Sequence, residues 1–444
     1  TGDFPAQWKR LENSIREKLE EFAVASNNHL RFQFVDIYET DDPRSQGQNE
    51  EKLLEQGLSF TRIGYETGGG KTFRNVWPSA LISSGGNEVP VQFFRSETPQ
   101  PTEEMIQGSI NSIEYELATS LRRVLFDEVP NIAFIEGHGE LPEIEVADFM
   151  NSLDEDYNVS RIRLDGKINI LSERLEGMKY RTNRFDLAVI AGPDSVFSDK
   201  DRLILDQFLM AGGRMLWMVD PILTDLDSLR SSQTTMATAN PLGLNHQFFD
   251  YGVRLNTNLI IDPQCAPIAF DAGPQGNQRS MQLFSWYFSP LAIPQGISHP
   301  ITTNLDPIHF DFVSGLDTVY TDADLKKTVL LRSSALARTY KAPIRISSSI
   351  VDLDPSYFNS NNTPFTPFAV LIEGAFKSHF TDIIPDTLLR DADFAFRAEG
   401  RPSAMVVIGD GDVAKNKVIM TKEGPQIYPL GYDIRIKHGC RNET

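Results

Sequence analysis

Three apolar runs between Asn131 and Pro221 constrain this chain more than any other feature. Ile132-Ala133-Phe134-Ile135, Leu187-Ala188-Val189-Ile190 and Met215-Leu216-Trp217-Met218-Val219 lack the polar alternation of a half-exposed strand. Each therefore predicts a strand covered on both faces, as in a parallel sheet. Between the last two, Ser198 and Asp201 form a capping pair, Leu203, Ile204, Phe208 and Leu209 make a helical stripe, and Gly212-Gly213 supplies the stop. Strand, helix, strand at this spacing is a βαβ unit. The expected core is a doubly wound α/β sheet.

The flanking sequence extends this frame. Trp8, Leu11, Ile15, Leu19 and Phe22 recur at helical spacing after Pro5. Leu30 to Tyr38 reads as a strand, Asp41 to Gly47 as a loop and Glu50 to Gln56 as a short helix. Trp77 to Ser83 and Glu88 to Phe94 read as a hairpin turned at Gly85-Gly86-Asn87. A long helix follows, with Met105, Ile106, Ile110, Ile113, Leu117 and Leu121 on one face. The order α-β-α-β-β-α, preceded by one missing strand, is thioredoxin-like, and this domain is placed at 1–127. The second domain is placed at 128–432. It adds a helix near Pro142 to Asp154, a strand at Tyr157 to Leu164 and returning strands at Phe368 to Ile372 and Met405 to Ile408. An insertion or long loop is expected near 264–296, where Gln, Gly, Pro and aromatic residues crowd. Residues 433–444, with Arg435, Lys437, His438 and Arg441, read as a separate basic tail.

Composition narrows function. A length of 444 residues fits two or three domains at roughly 150 residues each. A formal charge of −19 opposes nucleic-acid and anionic-lipid binding. Two cysteines, Cys265 and Cys440, exclude a disulfide framework. No run of about 18 apolar residues is present to span a bilayer. The start at Thr1-Gly2-Asp3-Phe4-Pro5 reads as a cut within a longer protein.

Four places carry polar residues in suggestive positions. Gly137-His138-Gly139-Glu140 follows the first central strand, where open α/β sheets take ligands. Glu140, Glu143 and Glu145 oppose an anion there, since like charges ~5 Å apart repel by about 3 kcal/mol at an effective dielectric of ~20. Gly68-Gly69-Gly70-Lys71-Thr72 lacks the spacing and following helix of a phosphate loop and reads as a hairpin tip. Asp410-Gly411-Asp412 ends a strand; with Asp194 or Asp220 it has the chemistry for a divalent cation, but local turn bonding is the simpler reading. Ser195 and Cys265 lack the small-flanked turn and the histidine that nucleophilic chemistry needs. The expectation is a non-enzyme without cofactor or metal. His138, Glu140, Asp194, Asp410 and Asp412 remain candidates for ligand binding. Phe284, Trp286, Tyr287 and Phe288 are the candidate partner-contact patch.

Thr1-Gly2-Asp3-Phe4-Pro5 before an amphipathic helix, Asn87-Glu88-Val89-Pro90-Val91, Ile135-Glu136-Gly137-His138-Gly139-Glu140, Phe185 to Pro193 and Val407-Ile408-Gly409-Asp410-Gly411-Asp412 together resemble the GldG family. Its members are auxiliary components of the gliding-motility ABC transporter of Bacteroidetes-type bacteria. The resemblance covers nearly the whole chain to about Tyr432. It implies an extracytoplasmic region at the periplasmic face of the inner membrane, carried by helices outside this fragment. It also implies a GldF permease and a GldA ATPase as partners, with a homodimer as a further use of an apolar patch. The second domain would be of the type-1 glutamine-amidotransferase-like kind, shared with some intraflagellar-transport proteins and lacking the nucleophile. The expected role is a non-catalytic binding or scaffold module supporting gliding and type IX secretion. A periplasmic receptor for a glycan or peptide and an amidotransferase-like hydrolase are the alternatives.

Overall fold

The computed structural model describes residues 5–431, apart from 39–41, 68–69, 95–100, 127, 225–228, 230–231, 233, 276–277, 295–298, 304 and 423. Thr1 to Phe4, Gly68-Gly69 and the tail at 433–444 therefore lie outside the described residues. The chain divides into two compact units, with the break between Val129 and Pro130.

In the first unit, helix α1 (Ala6–Ala25) packs Trp8, Leu11 and Ile15 against Ile106, Ile113 and Leu117 of helix α3 (Glu103–Leu125). Thr102 caps α3 by accepting the Met105 amide hydrogen. Helix α2 (Pro43–Glu55) starts within the expected loop because Asp42 accepts from the Arg44 and Ser45 amides and Pro43 sets the first turn. Strands β1 (Thr61–Thr67) and β2 (Gly70–Val76) form a hairpin around the glycines, pairing Thr67 with Gly70. Strands β3 (Ser79–Ser84) and β4 (Asn87–Gln92) form a second, turned at Gly85-Gly86, both with positive φ. Leu30 to Tyr38 departs from expectation. It joins no ladder among the described residues, and Phe32, Phe34 and Val35 are exposed. The described ladders of this unit are two separate hairpins, not the single sheet of the thioredoxin-like order.

The second unit is built on a seven-stranded sheet. Its central strands are β5 (Asn131–Glu136), β6 (Asn158–Arg163), β7 (Leu187–Ala191) and β8 (Arg214–Met218). Strands β9 (Cys265–Gln275) and β10 (Gln278–Ala292) form a hairpin outside it. The sheet resumes with β11 (Leu325–Arg332), β12 (Pro367–Lys377) and β13 (Glu399–Ile408), giving the order β11-β12-β13-β8-β7-β5-β6. β13, β8, β7, β5 and β6 run parallel; β12 runs antiparallel to them, and the edge strand β11, antiparallel to β12, runs in their direction again. This mixed α/β sheet reverses its winding between β5 and β7. Ala133 and Ile135 of β5 enter one core with Ile204, Leu205, Phe208 and Leu209 of helix α5 (Asp199–Met210). Ile132 and Phe134 enter the opposite core, beside Phe149, Met150 and Leu153 of helix α4 (Ala147–Asp154). Both faces are covered, as the unbroken apolar runs require.

Within the stretch expected to be an insertion or long loop, Cys265–Gln275 and Gln278–Ala292 pair as a long β-hairpin. Trp286, Tyr287 and Phe288 are buried, and Phe284 is half-buried against the same cluster. Trp286 faces Phe312, with ring centroids 6.3 Å apart, and Tyr287 faces Phe358 at 4.9 Å. Neighbouring side chains on a strand point to opposite faces, so three buried in succession means that both faces of the hairpin are covered here. Trp286, Tyr287 and Phe288 fill a core and are not open to a partner, against expectation. Among the described residues, no helix is long and apolar enough to cross a membrane.

Candidate functional site

The carboxyl ends of β5, β7, β8 and β13 bring the sequence-predicted residues into two neighbouring clusters. A reversal of strand order at β5 and β7 creates the crevice in which open α/β sheets hold ligands. In this chain its own side chains and turns occupy that position.

The first cluster surrounds His138. Gly137 and Gly139 both adopt positive φ, which brings the turn after β5 back over the strand end. The His138 ring is buried and stacks on Phe197, with centroids 3.8 Å apart and an interplanar angle of 13°. Nδ1 lies 3.2 Å from Glu140 Oε1 and Nε2 lies 3.3 Å from Asp201 Oδ2. Both ring nitrogens therefore face carboxylate oxygens of the chain itself. Glu140 also accepts the His138 amide hydrogen at 2.7 Å, and Asp201 accepts from Ser198 Oγ at 2.7 Å and the Gly166 amide at 3.0 Å. The His138 carbonyl accepts from the amides of Asp194 and Ser195, each at 3.0 Å. Amides that could have cradled an anion are spent within the chain. Asp194 is exposed, but its carboxylate lies over Gly139, where a Cβ would come within 1.6 Å of Oδ1. Ser195 donates its hydroxyl to Asp194 at 2.6 Å.

The second cluster joins Asp220, Asp410 and Asp412 with Asp311. Asp410 accepts from the amides of Asp311 and Asp412, both at 2.7 Å, and Asp220 accepts from the Gly411 amide at 2.9 Å. Burial pushes the Asp220 carboxyl up to about 7, reinforced by Asp412 and opposed by the Gly411 amide and Lys415. Burial likewise raises Asp410 well above the usual carboxylate range, and Asp220, Asp412 and Asp311 add to it. No group of three or more metal-ligating side chains among the described residues is arranged to hold a cation. Cys265 is half-buried in β9, and burial, then the Asp262 charge, pushes its thiol up to about 11. At neutral pH it stays a thiol, whereas the thiolate is the nucleophile.

His138, Glu140 and Asp410 thus correct the expectation of open ligand groups: each is buried and already bonded within the chain. Only Asp194 and Asp412 of the predicted five are exposed.

The family described as an ABC-type uncharacterized transport system matches residues 129–443, well over half the chain. The chain belongs to this ABC-type transport-system family. As an auxiliary component of such a system, it is associated with an ABC transporter. A second family, described as a domain of unknown function, matches residues 1–83 of the transport-system protein. Among solved structures, it is similar to the IFT52 N-terminal domain at 11% identity and a TM-score of 0.35, covering 64% of this chain and 88% of that chain. No curated protein matches it.

Sequence reasoning missed two polar centres of the transport-system protein. Asp206 of α5 is fully buried and accepts from Tyr251 Oη, Ser378 Oγ, Gln207 Nε2 and the His379 amide at 2.6, 2.7, 2.9 and 3.0 Å. Asp262 is also fully buried and accepts from the Ser334 amide and hydroxyl, both at 2.7 Å. A lone acid within an otherwise apolar helical stripe, as at Asp206, was the available signal.

Proposed function

We propose that this chain is a non-catalytic binding or scaffold module of an ABC transport complex, of the GldG kind. It stands at the periplasmic face of the inner membrane beside a GldF-like permease and a GldA-like ATPase, where it supports gliding motility and type IX secretion. Membership of the transport-system family carries the association with a transporter. The non-catalytic part rests on the occupied crevice, in which His138 is bonded on both sides and Ser195 is turned to Asp194. The amidotransferase-like reading of the second unit is part of this proposal, supported by its five parallel strands.

With Trp286, Tyr287 and Phe288 inside a core, the partner-facing surface is assigned to the ribbon of Lys417–Thr421 and Gly424–Tyr428. Its register pairs Val418 with Ile427 and Met420 with Pro425. These four side chains share one face, and Met420, Pro425 and Ile427 are exposed. Such a stripe suits an apolar protein contact.

The test is chemical crosslinking and affinity capture of the full-length protein from its own membranes. Permease and ATPase should be recovered with it, and Met420→Lys with Ile427→Asp should reduce the recovery while leaving the melting temperature unchanged. Capture without either transporter subunit would reject the assignment. Turnover of an amide or ester substrate that is lost on Ser195→Ala or Cys265→Ala would reject the non-catalytic reading.

A further inference from the structure

The ribbon of Lys417–Thr421 and Gly424–Tyr428 stands apart from the rest of the second unit in one respect. None of its described side chains is buried, and none enters a buried cluster of that unit. A two-stranded ribbon without a covered apolar face is only marginally stable in water. Its direction is therefore set where it joins the body.

Hydrogen bonds converge there on Asn416 and Asp148. Asn416 is buried, although the ribbon that it opens is not. Its amide N–H donates to the Glu145 carbonyl at 2.6 Å, its Oδ1 accepts the Asp148 amide hydrogen at 3.1 Å, and its Nδ2 donates to the Tyr428 carbonyl at 3.0 Å. The Asp148 carboxylate in turn accepts the Leu430 amide hydrogen at 2.9 Å. One strand is thus tied through Asn416 and the other through Tyr428 and Leu430, both at the first turn of α4. The side-chain amide suits this place because it accepts at one atom and donates at the other, whereas a carboxylate of the same shape cannot donate.

We propose that Asn416 and Asp148 are positioning residues: they form a polar joint that holds the ribbon in one direction from α4, so that Met420, Pro425 and Ile427 meet the partner as a preformed surface. An exposed element fixed beforehand loses less entropy when it docks. The docking role rests on the assignment of the ribbon as the partner-facing surface. The joint itself rests only on the bonds described.

Hydrogen exchange on the whole chain, read by mass spectrometry, tests the joint. Crosslinking and capture of the full-length protein from its own membranes tests its use. Asn416→Ala removes two side-chain bonds and should lower the protection of peptides covering 417–428 by about tenfold, with those from β5 and α5 unchanged. Asp148→Ala removes the bond to Leu430 and should lower it by about threefold, whereas Asp148→Asn, which keeps an acceptor, should retain native protection. Asn416→Asp keeps the acceptor, loses the donor and should loosen the ribbon as well. In the capture experiment Asn416→Ala should recover several-fold less permease and ATPase, although Met420 and Ile427 are intact. Native protection in Asp148→Ala, or equal loss in Asp148→Asn and Asp148→Ala, overturns the joint even if Asn416→Ala fails to fold. A loosened ribbon with undiminished recovery overturns its role in docking. If the native chain recovers neither subunit, the partner assignment fails instead, and exchange still decides the joint.

Discussion

Gly192 and Gly411 meet backbone to backbone: the Cα of Gly192 lies 2.7 Å from the position a Cβ on Gly411 would take. Their loops leave β7 and β13, whose carboxyl ends are separated in the sheet by β8. Leu141 closes the other side, with Cγ 3.0 Å from the corresponding position on Gly192. The crevice that this strand order creates is shut by packing of the chain on itself.

Gly411→Ala should therefore destabilise the second unit by about 1–3 kcal/mol, the usual range for overpacking. Gly411 has φ of −79°, which any residue adopts, so the cost is steric alone. Urea denaturation reads it. Gly108→Ala is the contrasting case: it lies in helix α3 with nothing within 4 Å of the new methyl. There the first unit should gain roughly 0.5–1 kcal/mol.

His138→Ala should cost about 1–3 kcal/mol, because it removes one polar partner from each of the Glu140 and Asp201 carboxylates in a largely buried space and removes the stacking partner of Phe197. Equilibrium unfolding of the variant measures this. A variant as stable as the native chain would show that the ring is held for some other purpose.

Trp286→Ala should lower stability by about 3–5 kcal/mol, as for large aromatic side chains in cores, and leave the sedimentation coefficient of the folded protein unchanged. Its burial against Phe288 and Phe312 is the cause. Altered association at unchanged stability would restore the partner-contact reading of 284–288.

Asp220 fixes the sign of a pH dependence. Its carboxyl is raised from 3.8 to about 7 in the folded chain, so between those values the folded state holds a proton that the unfolded state has lost. Stability from this group is full below the unfolded value and declines as pH rises toward the folded one. Asp220→Asn, which is neutral throughout, should flatten that part of the decline in chemical denaturation between about pH 4 and about pH 7.

Much of the central frame was legible because it depends on local pattern. The runs at 132–135, 187–190 and 215–219 became β5, β7 and β8, and Ser198 caps α5 by accepting the Asp201 amide at 3.2 Å. The segments at 368–372 and 405–408 entered the same sheet as β12 and β13. Readings that needed a neighbour failed. Leu30 to Tyr38 has strand composition but no ladder among the described residues, since propensity does not supply a partner strand. The Gln-, Gly- and Pro-rich stretch near 264–296 pairs into a hairpin because Ile222, Ile261, Phe312 and Phe358 cover its aromatic residues from distant parts of the chain.

By itself, the sequence determined the periodicities, the caps and the parallel character of the core, all properties of residues within one turn or one strand of each other. Only the tertiary structure decided whether each polar residue faced solvent or another buried group. His138 met Asp201 from 63 residues away, and Asp311 met Asp410 from 99 away. Burial and electrostatic pairing are properties of those meetings, and no single stretch of chain contains them.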